Sequence, residues 1–146
     1  MKVLADTNIY ISALLYPASK PAHALMSAAE NHQLVLTDHN ITELHRVVKE
    51  KFPNKLADAD VLLAKLSFDL VFAPLAAQKL ISDPNDAPIL NAAIMNGVDV
   101  IISGDKHFLK LDIMYPKVLT VTEFLEAYET ESPPSAGERE DMQKRP

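Results

Sequence analysis

The sequence predicts a three-layer α/β domain, in which helices cover both faces of a central parallel sheet of about five strands. Two observations support this prediction. Short runs of aliphatic and β-branched residues alternate with longer segments whose apolar residues recur at helical spacing, and strands that alternate with helices favour parallel pairing. With 146 residues, 48% of them hydrophobic, the chain is also long enough for one domain with a substantial core.

Five segments have the composition of strands. In chain order they are KVLA (2–5), QLVLT (33–37), LVFAPL (70–75), VDVIIS (98–103) and KVLTV (117–121). The fourth is strongly β-branched, and Pro74 ends the third because proline cannot donate to a sheet ladder.

Helix signals lie between these strands. Prolines and a glycine indicate two helix starts and two helix ends: starts at Pro21 and Pro88, ends at Pro53 and Gly97. Asn40, with Glu43 three residues later, resembles a capping box in which Asn40 replaces the usual Ser or Thr. Thr122 is predicted to cap the last helix.

The domain is predicted to span residues 1–128. From Glu129 onward the chain is acidic, contains Pro and Ser, and lacks apolar periodicity. This composition predicts a disordered tail over residues 129–146.

Composition excludes several classes of function. No run approaches the roughly 18 to 20 apolar residues of a membrane span, and no basic segment precedes an apolar one at the N-terminus, so we expect no membrane anchor and no secretory signal. Cysteine is absent, which excludes thiol nucleophiles and zinc–thiolate sites and favours a cytoplasmic location. The net charge of −6 argues against a passive nucleic-acid coat protein, because such proteins neutralise phosphates with basic residues.

Four acids fall where a parallel α/β sheet binds ligands, at the carboxyl ends of its strands. Asp6 and Asp105 directly follow predicted strands, and Glu43 and Asp86 lie at the starts of predicted helices. Each has a simpler explanation on its own: Glu43 as half of a capping box, Asp86 as a helix cap and Asp105 as a turn residue. Together, however, the fold would bring four carboxylates to one edge of the sheet.

Four converging carboxylates need a compensating charge, because like charges close together repel by several kcal/mol at an intermediate dielectric. No comparable cluster of Lys or Arg accompanies these acids along the chain. Carboxylates and water are the ligands that suit Mg²⁺ or Mn²⁺. The set therefore predicts a divalent metal site.

Four segments of the chain resemble the PIN-domain ribonucleases, in particular the small prokaryotic PIN proteins, many of which are toxins of toxin–antitoxin pairs. They are VLADTNIYISAL, NITELHRVV, SDPNDAPILNAAI and GVDVIISGDKHFL, and the resemblance runs from about residue 2 to residue 128. It implies a PIN-like fold and a catalytic, metal-binding set of acids: Asp6, Glu43, Asp86 and Asp105. Asn8 and Ser103 would support this set.

The resemblance also implies a reaction and partners. One or two Mg²⁺ or Mn²⁺ ions would activate water to hydrolyse RNA, leaving a 5′-phosphate and a 3′-hydroxyl. A cognate antitoxin and a homodimer are expected by kinship. Relatives often carry a further acid in the last motif, where this chain has His107; this leaves the fourth ligand open between that region and Asp105. Five basic residues lie nearest the acids in sequence and are considered as guides for the RNA backbone: Lys20, Arg46, Lys49, Lys106 and Lys110. Of these, Lys20, Arg46 and Lys106 are the candidate RNA contacts, and solvated surface residues are the alternative interpretation.

Two other functions fit parts of the sequence. A phosphatase of the haloacid-dehalogenase type also has an Asp after its first strand, but its general acid would stand where this chain has Asn8. The alternative to catalysis is a silent PIN-like scaffold that binds RNA or a protein partner. Such scaffolds typically lose one or more of the acids, whereas this chain retains all four positions.

Overall fold

A computed structural model describes residues 1–72 and 87–128. The strands are β1 (Lys2–Ala5), β2 (Gln33–Thr37), β3 (Asp69–Val71), β4 (Val100–Ile102) and β5 (Lys117–Leu119). The helices are α1 (Thr7–Leu15), α2 (Lys20–Asn31), α3 (Asp38–Lys51), α4 (Leu56–Lys65), α5 (Ala87–Met95), α6 (Lys106–Leu109) and α7 (Val121–Tyr128), and a 3₁₀ turn, Pro53–Lys55, separates α3 from α4. The predicted α/β class and all five predicted strands are confirmed.

The five strands form one parallel sheet in the order β3-β2-β1-β4-β5. Val3 of β1 pairs with Leu34 of β2 on one side and with Val100 of β4 on the other. The chain thus moves outward from β1 to β3 and then returns to place β4 against the other side of β1. Strand order therefore reverses between β1 and β4, which is where open α/β sheets bind ligands.

Helices cover both faces of the sheet. Alternate residues of β1 point to opposite faces: Val3 and Ala5 belong to the larger core, which includes residues of α1, α2, α3 and α7, and Leu4 belongs to the smaller core beneath α5 and α6. Because the central strands are buried on both faces, they consist of continuous apolar runs with no polar alternation.

Helix ends add to the prediction or differ from it at three places. Asp6, which the sequence predicted as a site acid, is also the N-cap of α1. The capping box of α3 pairs Thr37 with Asn40, so the predicted pairing of Asn40 with Glu43 is wrong.

The third place is α7. Thr120 and Glu123 exchange hydrogen bonds there, with the Thr120 backbone N 2.9 Å from the Glu123 carboxylate and the Glu123 backbone N 3.1 Å from the Thr120 hydroxyl, so the cap predicted at Thr122 is also wrong. The ends predicted by Pro53 and Gly97 are confirmed, since α3 stops before Pro53 and Gly97 follows α5 with φ of 66°.

Some predictions concern residues outside those described. They are the tail over residues 129–146, Pro74 at the end of the third strand, and Asp86. Within residues 1–72 and 87–128, no helix is long and apolar enough to span a membrane.

Candidate active site

Asp6 lies at the carboxyl end of β1 and is almost fully buried, with 3% of its surface exposed. Its backbone N–H donates to the carbonyl of Ile102, the last residue of β4, at 3.0 Å. Its side-chain Oδ1 accepts a hydrogen bond from the backbone N of Ile9 at 3.3 Å. Sheet pairing and the start of α1 therefore fix this carboxylate from two directions.

Ser103 joins Asp6 to Asp105. The Ser103 hydroxyl, which is fully buried, donates to Oδ2 of Asp6 and accepts a hydrogen bond from the backbone N of Asp105 at 3.0 Å. The serine follows β4 directly, so neighbouring strands bring the three residues together. The ends of β1 and β4 thus place Asp6 and Asp105 in one locality.

Burial is the dominant influence on the ionisation of Asp6. Burial raises the pKa of this carboxyl above its ordinary value. Hydrogen bonds from Ser103 and from the backbone N–H groups of Ile9 and Asn8 lower the pKa and so oppose the increase. The negative charge of Asp105 raises the pKa further. The pKa of Tyr10 is raised as well, by burial and then by the charge of Asp6. The carboxylate is thus held in a place that disfavours its negative charge.

Asp105 is half-buried and caps the short helix α6. Its Oδ1 accepts a hydrogen bond from the backbone N of His107 at 2.7 Å, and Nδ1 of the same histidine lies 3.0 Å away. His107 is therefore next to a candidate site acid, even though its side chain is 45% exposed.

Glu43 lies on α3 with 17% of its side chain exposed. Its carboxylate is 4.0 Å from Nε2 of His39 and 3.9 Å from a guanidinium nitrogen of Arg46. One turn earlier on the same helix, the buried amide of Asn40 contacts Thr7 and Ala5, which flank Asp6. The helix that carries Glu43 is thus joined to the strand end that carries Asp6.

Asp6 and Asp105 are the only pair of predicted acids that the described residues bring clearly together. No group of three His, Cys, Asp or Glu side chains in residues 1–72 and 87–128 has the arrangement to hold a metal ion. Asp86 lies outside these residues and directly precedes Ala87 in the sequence. The meeting of all four acids therefore stays a prediction.

The comparisons with known proteins agree with the fold. The PIN-domain family profile matches residues 2–107, which is most of the chain. The chain belongs to the PIN-domain family. PIN domains are generally nucleases and generally use divalent metal ions. The protein MJ1680 of Methanocaldococcus jannaschii is 27% identical over an alignment of 144 residues, and the match covers 88% of this chain and 92% of that protein.

Two crystal structures share the PIN fold of this chain. VapBC2 from Rickettsia felis, bound to a DNA fragment from their promoter, matches with a TM-score of 0.63 and 16% identity over 82% of this chain and 97% of that chain. DNA-bound VapBC from Salmonella typhimurium matches with a TM-score of 0.63 and 11% identity over 83% and 98%. At these identities the two structures show the fold alone.

The three candidate RNA contacts of this PIN domain have different surroundings. Lys106 is exposed and immediately follows Asp105 in the chain. Arg46 is 53% exposed and lies between two acids, Glu43 at 3.9 Å and Glu50 at 3.3 Å. Lys20 lines a cavity of about 440 Å³ between α2 and α7.

Some contributors to the site of this PIN domain were missed by the sequence prediction or given another role. Asn8 was predicted to support the site. Its backbone N–H forms a hydrogen bond with the carboxylate of Asp6, and the residue itself is exposed. Asn40 was interpreted only as a cap. Tyr10 was not among the predicted site residues, and its buried hydroxyl has no hydrogen-bond partner among the described residues. The signal in the sequence that could have identified Tyr10 is a residue with a polar hydroxyl inside an otherwise apolar stretch of helix.

Proposed function

We propose that this PIN domain is an Mg²⁺- or Mn²⁺-dependent endoribonuclease that hydrolyses RNA phosphodiester bonds. The observation that carries the proposal is the buried carboxylate of Asp6, which accepts a hydrogen bond from Ser103 and whose pKa is raised by burial first and then by the negative charge of Asp105. A buried acid beside a second acid destabilises the fold unless a cation compensates the charge. A nuclease can use such a cation to contact phosphate.

The donor set suits a hard divalent cation. Asp6 and Asp105 offer carboxylate oxygens, and we propose Glu43 and Asp86 as further ligands for one or two ions. Ser103 and Asn8 support Asp6 by hydrogen bonding to its carboxylate. When bound, the cation supplies the positive charge that activates water and stabilises the phosphate during hydrolysis.

The residues of the chain itself hold and orient the reacting groups. Hydrogen bonds to both oxygens of Asp6 fix its carboxylate in one orientation. Lys106, exposed beside Asp105, is suited to contact the RNA backbone, and we assign similar roles to Lys20 and Arg46. Addition of water across the phosphodiester releases a 5′-phosphate and a 3′-hydroxyl.

A cleavage assay on mixed structured and single-stranded RNAs, with Mg²⁺ or Mn²⁺, tests the proposal. We expect the wild-type protein to cleave RNA only when metal is present and Asp6→Asn to lose cleavage while remaining folded. Asp112→Asn, at an exposed acid, is the matched control and should cleave as the wild type does. Undiminished cleavage by Asp6→Asn would disprove the site, and no cleavage by the wild type would favour the silent scaffold.

We further propose that the protein is a toxin with a cognate protein antitoxin, because its fold neighbours are VapBC complexes. A homodimer and a cytoplasmic location belong to the same proposal. Expression of the wild type alone should arrest bacterial growth, whereas Asp6→Asn should be tolerated. Light scattering during gel filtration measures the oligomeric state, and growth that the wild type does not affect would contradict the toxin role.

A further inference from the structure

A buried amide connects four elements next to the candidate site. The side chain of Asn40, on α3, is 1% exposed. Its Nδ2 lies 3.1 Å from the hydroxyl of Thr7 on α1 and 3.5 Å from the carbonyl of Ala5 on β1. Its Oδ1 lies 3.1 Å from the backbone N of Thr37 on β2 and 2.9 Å from the hydroxyl of that threonine.

These contacts use the whole hydrogen-bonding capacity of the amide. Nδ2 has two hydrogens and two acceptors, and Oδ1 has two lone pairs and two donors. Among the common side chains of this size, only asparagine has both functions, because aspartate offers no N–H donor and leucine offers neither. The position therefore specifies an asparagine.

The two halves of the amide have different roles. The Oδ1 half completes the capping box of α3 with Thr37. The Nδ2 half contributes nothing to that cap and instead reaches the residues on either side of Asp6. Helix capping thus explains the hydrogen bonds of Oδ1 but not those of Nδ2.

Glu43 is one helical turn from Asn40, so the two residues share a side of α3. Any displacement of the first turn of α3 relative to β1 would therefore move Glu43 relative to Asp6. We propose that Asn40 is a positioning residue that fixes α3, and with it Glu43, against the strand end that carries Asp6. This inference rests on the proposed function, in which Glu43 and Asp6 hold the same metal site.

Mn²⁺ binding tests this role without depending on catalysis. Free Mn²⁺ is measured by electron paramagnetic resonance during titration of the wild type and two variants, Asn40→Ala and Thr7→Val. We expect each variant to bind Mn²⁺ about tenfold more weakly, since losing a residue that orients metal ligands typically costs 10- to 100-fold in affinity. Thr7→Ser keeps the hydroxyl and should restore wild-type binding.

Val48→Ala separates positioning from general destabilisation. Val48 is fully buried on the same helix but contributes only packing. We expect this variant to melt at a lower temperature than the wild type and to bind Mn²⁺ with the wild-type affinity. Equal weakening by Val48→Ala and Asn40→Ala would reduce the role of Asn40 to stability alone and overturn the inference.

The remaining outcomes separate the inference from the proposed function. If Asn40→Ala and Thr7→Val bind Mn²⁺ within twofold of the wild type, the positioning role is wrong even though the wild type cleaves RNA. If the wild type binds Mn²⁺ and cleaves no RNA, only the ribonuclease proposal fails. If the wild type binds no Mn²⁺, both fail.

Discussion

Asp6→Asn should stabilise the metal-free protein at neutral pH while it abolishes cleavage. The substitution removes a buried negative charge and keeps a hydrogen-bonding group at each carboxylate oxygen position, although the hydrogen bond with Ser103 reverses its direction. The amide oxygen can accept from Ile9 as Oδ1 does now, and the amide nitrogen can donate to the hydroxyl of Ser103. Asparagine is also as good an N-cap as aspartate, so the start of α1 is not weakened.

The expected gain is about 1 kcal/mol in the free energy of unfolding, within the range of roughly 0.5 to 2 kcal/mol that single stabilising substitutions commonly contribute. An opposing loss of about 0.3 to 1 kcal/mol comes from the favourable interaction of a negative charge with the start of a helix. Burial outweighs that interaction, since the pKa of Asp6 is raised overall. A gain of this size increases the melting temperature by about 3 °C.

The pH dependence follows from the direction of that shift. The pKa of Asp6 is above its ordinary value of 3.8 in the folded protein, so the wild type loses stability as the pH rises from 3.8 through the folded-state pKa. The advantage of Asp6→Asn should therefore be present at pH 7 and vanish below 3.8. Excess Mn²⁺ should reduce it at pH 7, because the ion stabilises only the protein that binds it.

Thermal unfolding followed by circular dichroism in EDTA measures these differences between pH 3.5 and pH 8. Asp112→Asn, at an exposed acid, should stay within about 0.5 kcal/mol of the wild type. If Asp6→Asn is less stable than the wild type at pH 7 in EDTA, the carboxylate is a net stabilising cap and the reasoning about buried charge is wrong.

Three further substitutions test other parts of the structure. Ser103→Ala removes a hydrogen bond that lowers the pKa of Asp6, so the acidic limb of the pH–rate profile for RNA cleavage should move to higher pH, and Ser103→Thr should leave it in place. Gly97→Ala forces a side chain into φ of 66° and should cost about 1 kcal/mol in a urea titration; an unchanged midpoint would contradict that strain. Thr120→Ala should cost about 1 kcal/mol by the same measurement and Thr122→Ala much less, and the reverse order would restore the cap predicted from the sequence.

Sequence patterns predicted the sheet because a strand that is buried on both faces has a recognisable sequence, a run of consecutive apolar residues. Each of the runs at 2–5 and 33–37 contains three consecutive buried apolar residues, at 3–5 and 34–36, which is typical of a central parallel strand. Parallel pairing predicted that Asp6 and Asp105 lie at the same edge of the sheet, and the pairing of β1 with β4 is what brings them close together. Which strands are neighbours was not predicted, because the apolar runs do not encode their order.

Helix starts were predicted less well, for a physical reason. A helix cap depends on backbone angles as much as on residue type, and Thr37 and Asn40 can both cap a helix. The sequence pattern placed the capping box at Asn40 and Glu43, one helical turn after its position in the structure. There, Thr37 and Asn40 form the capping box, and Thr37 has the extended backbone that ends β2. The amide of Asn40 that crosses to Thr7 has no local signature, because its partner is 33 residues away.

Asp6 unites two roles, as the N-cap of α1 and as a candidate metal ligand. The cap aims backbone N–H groups at Oδ1 of this carboxylate, and Ser103 donates to Oδ2. Without those donors, an acid with 3% of its surface exposed would be far more costly to bury. The cap is therefore what allows a charged ligand to be fixed in this place. Its donors do not fully compensate the burial, as the raised pKa shows, and the remaining cost is what a bound cation would relieve.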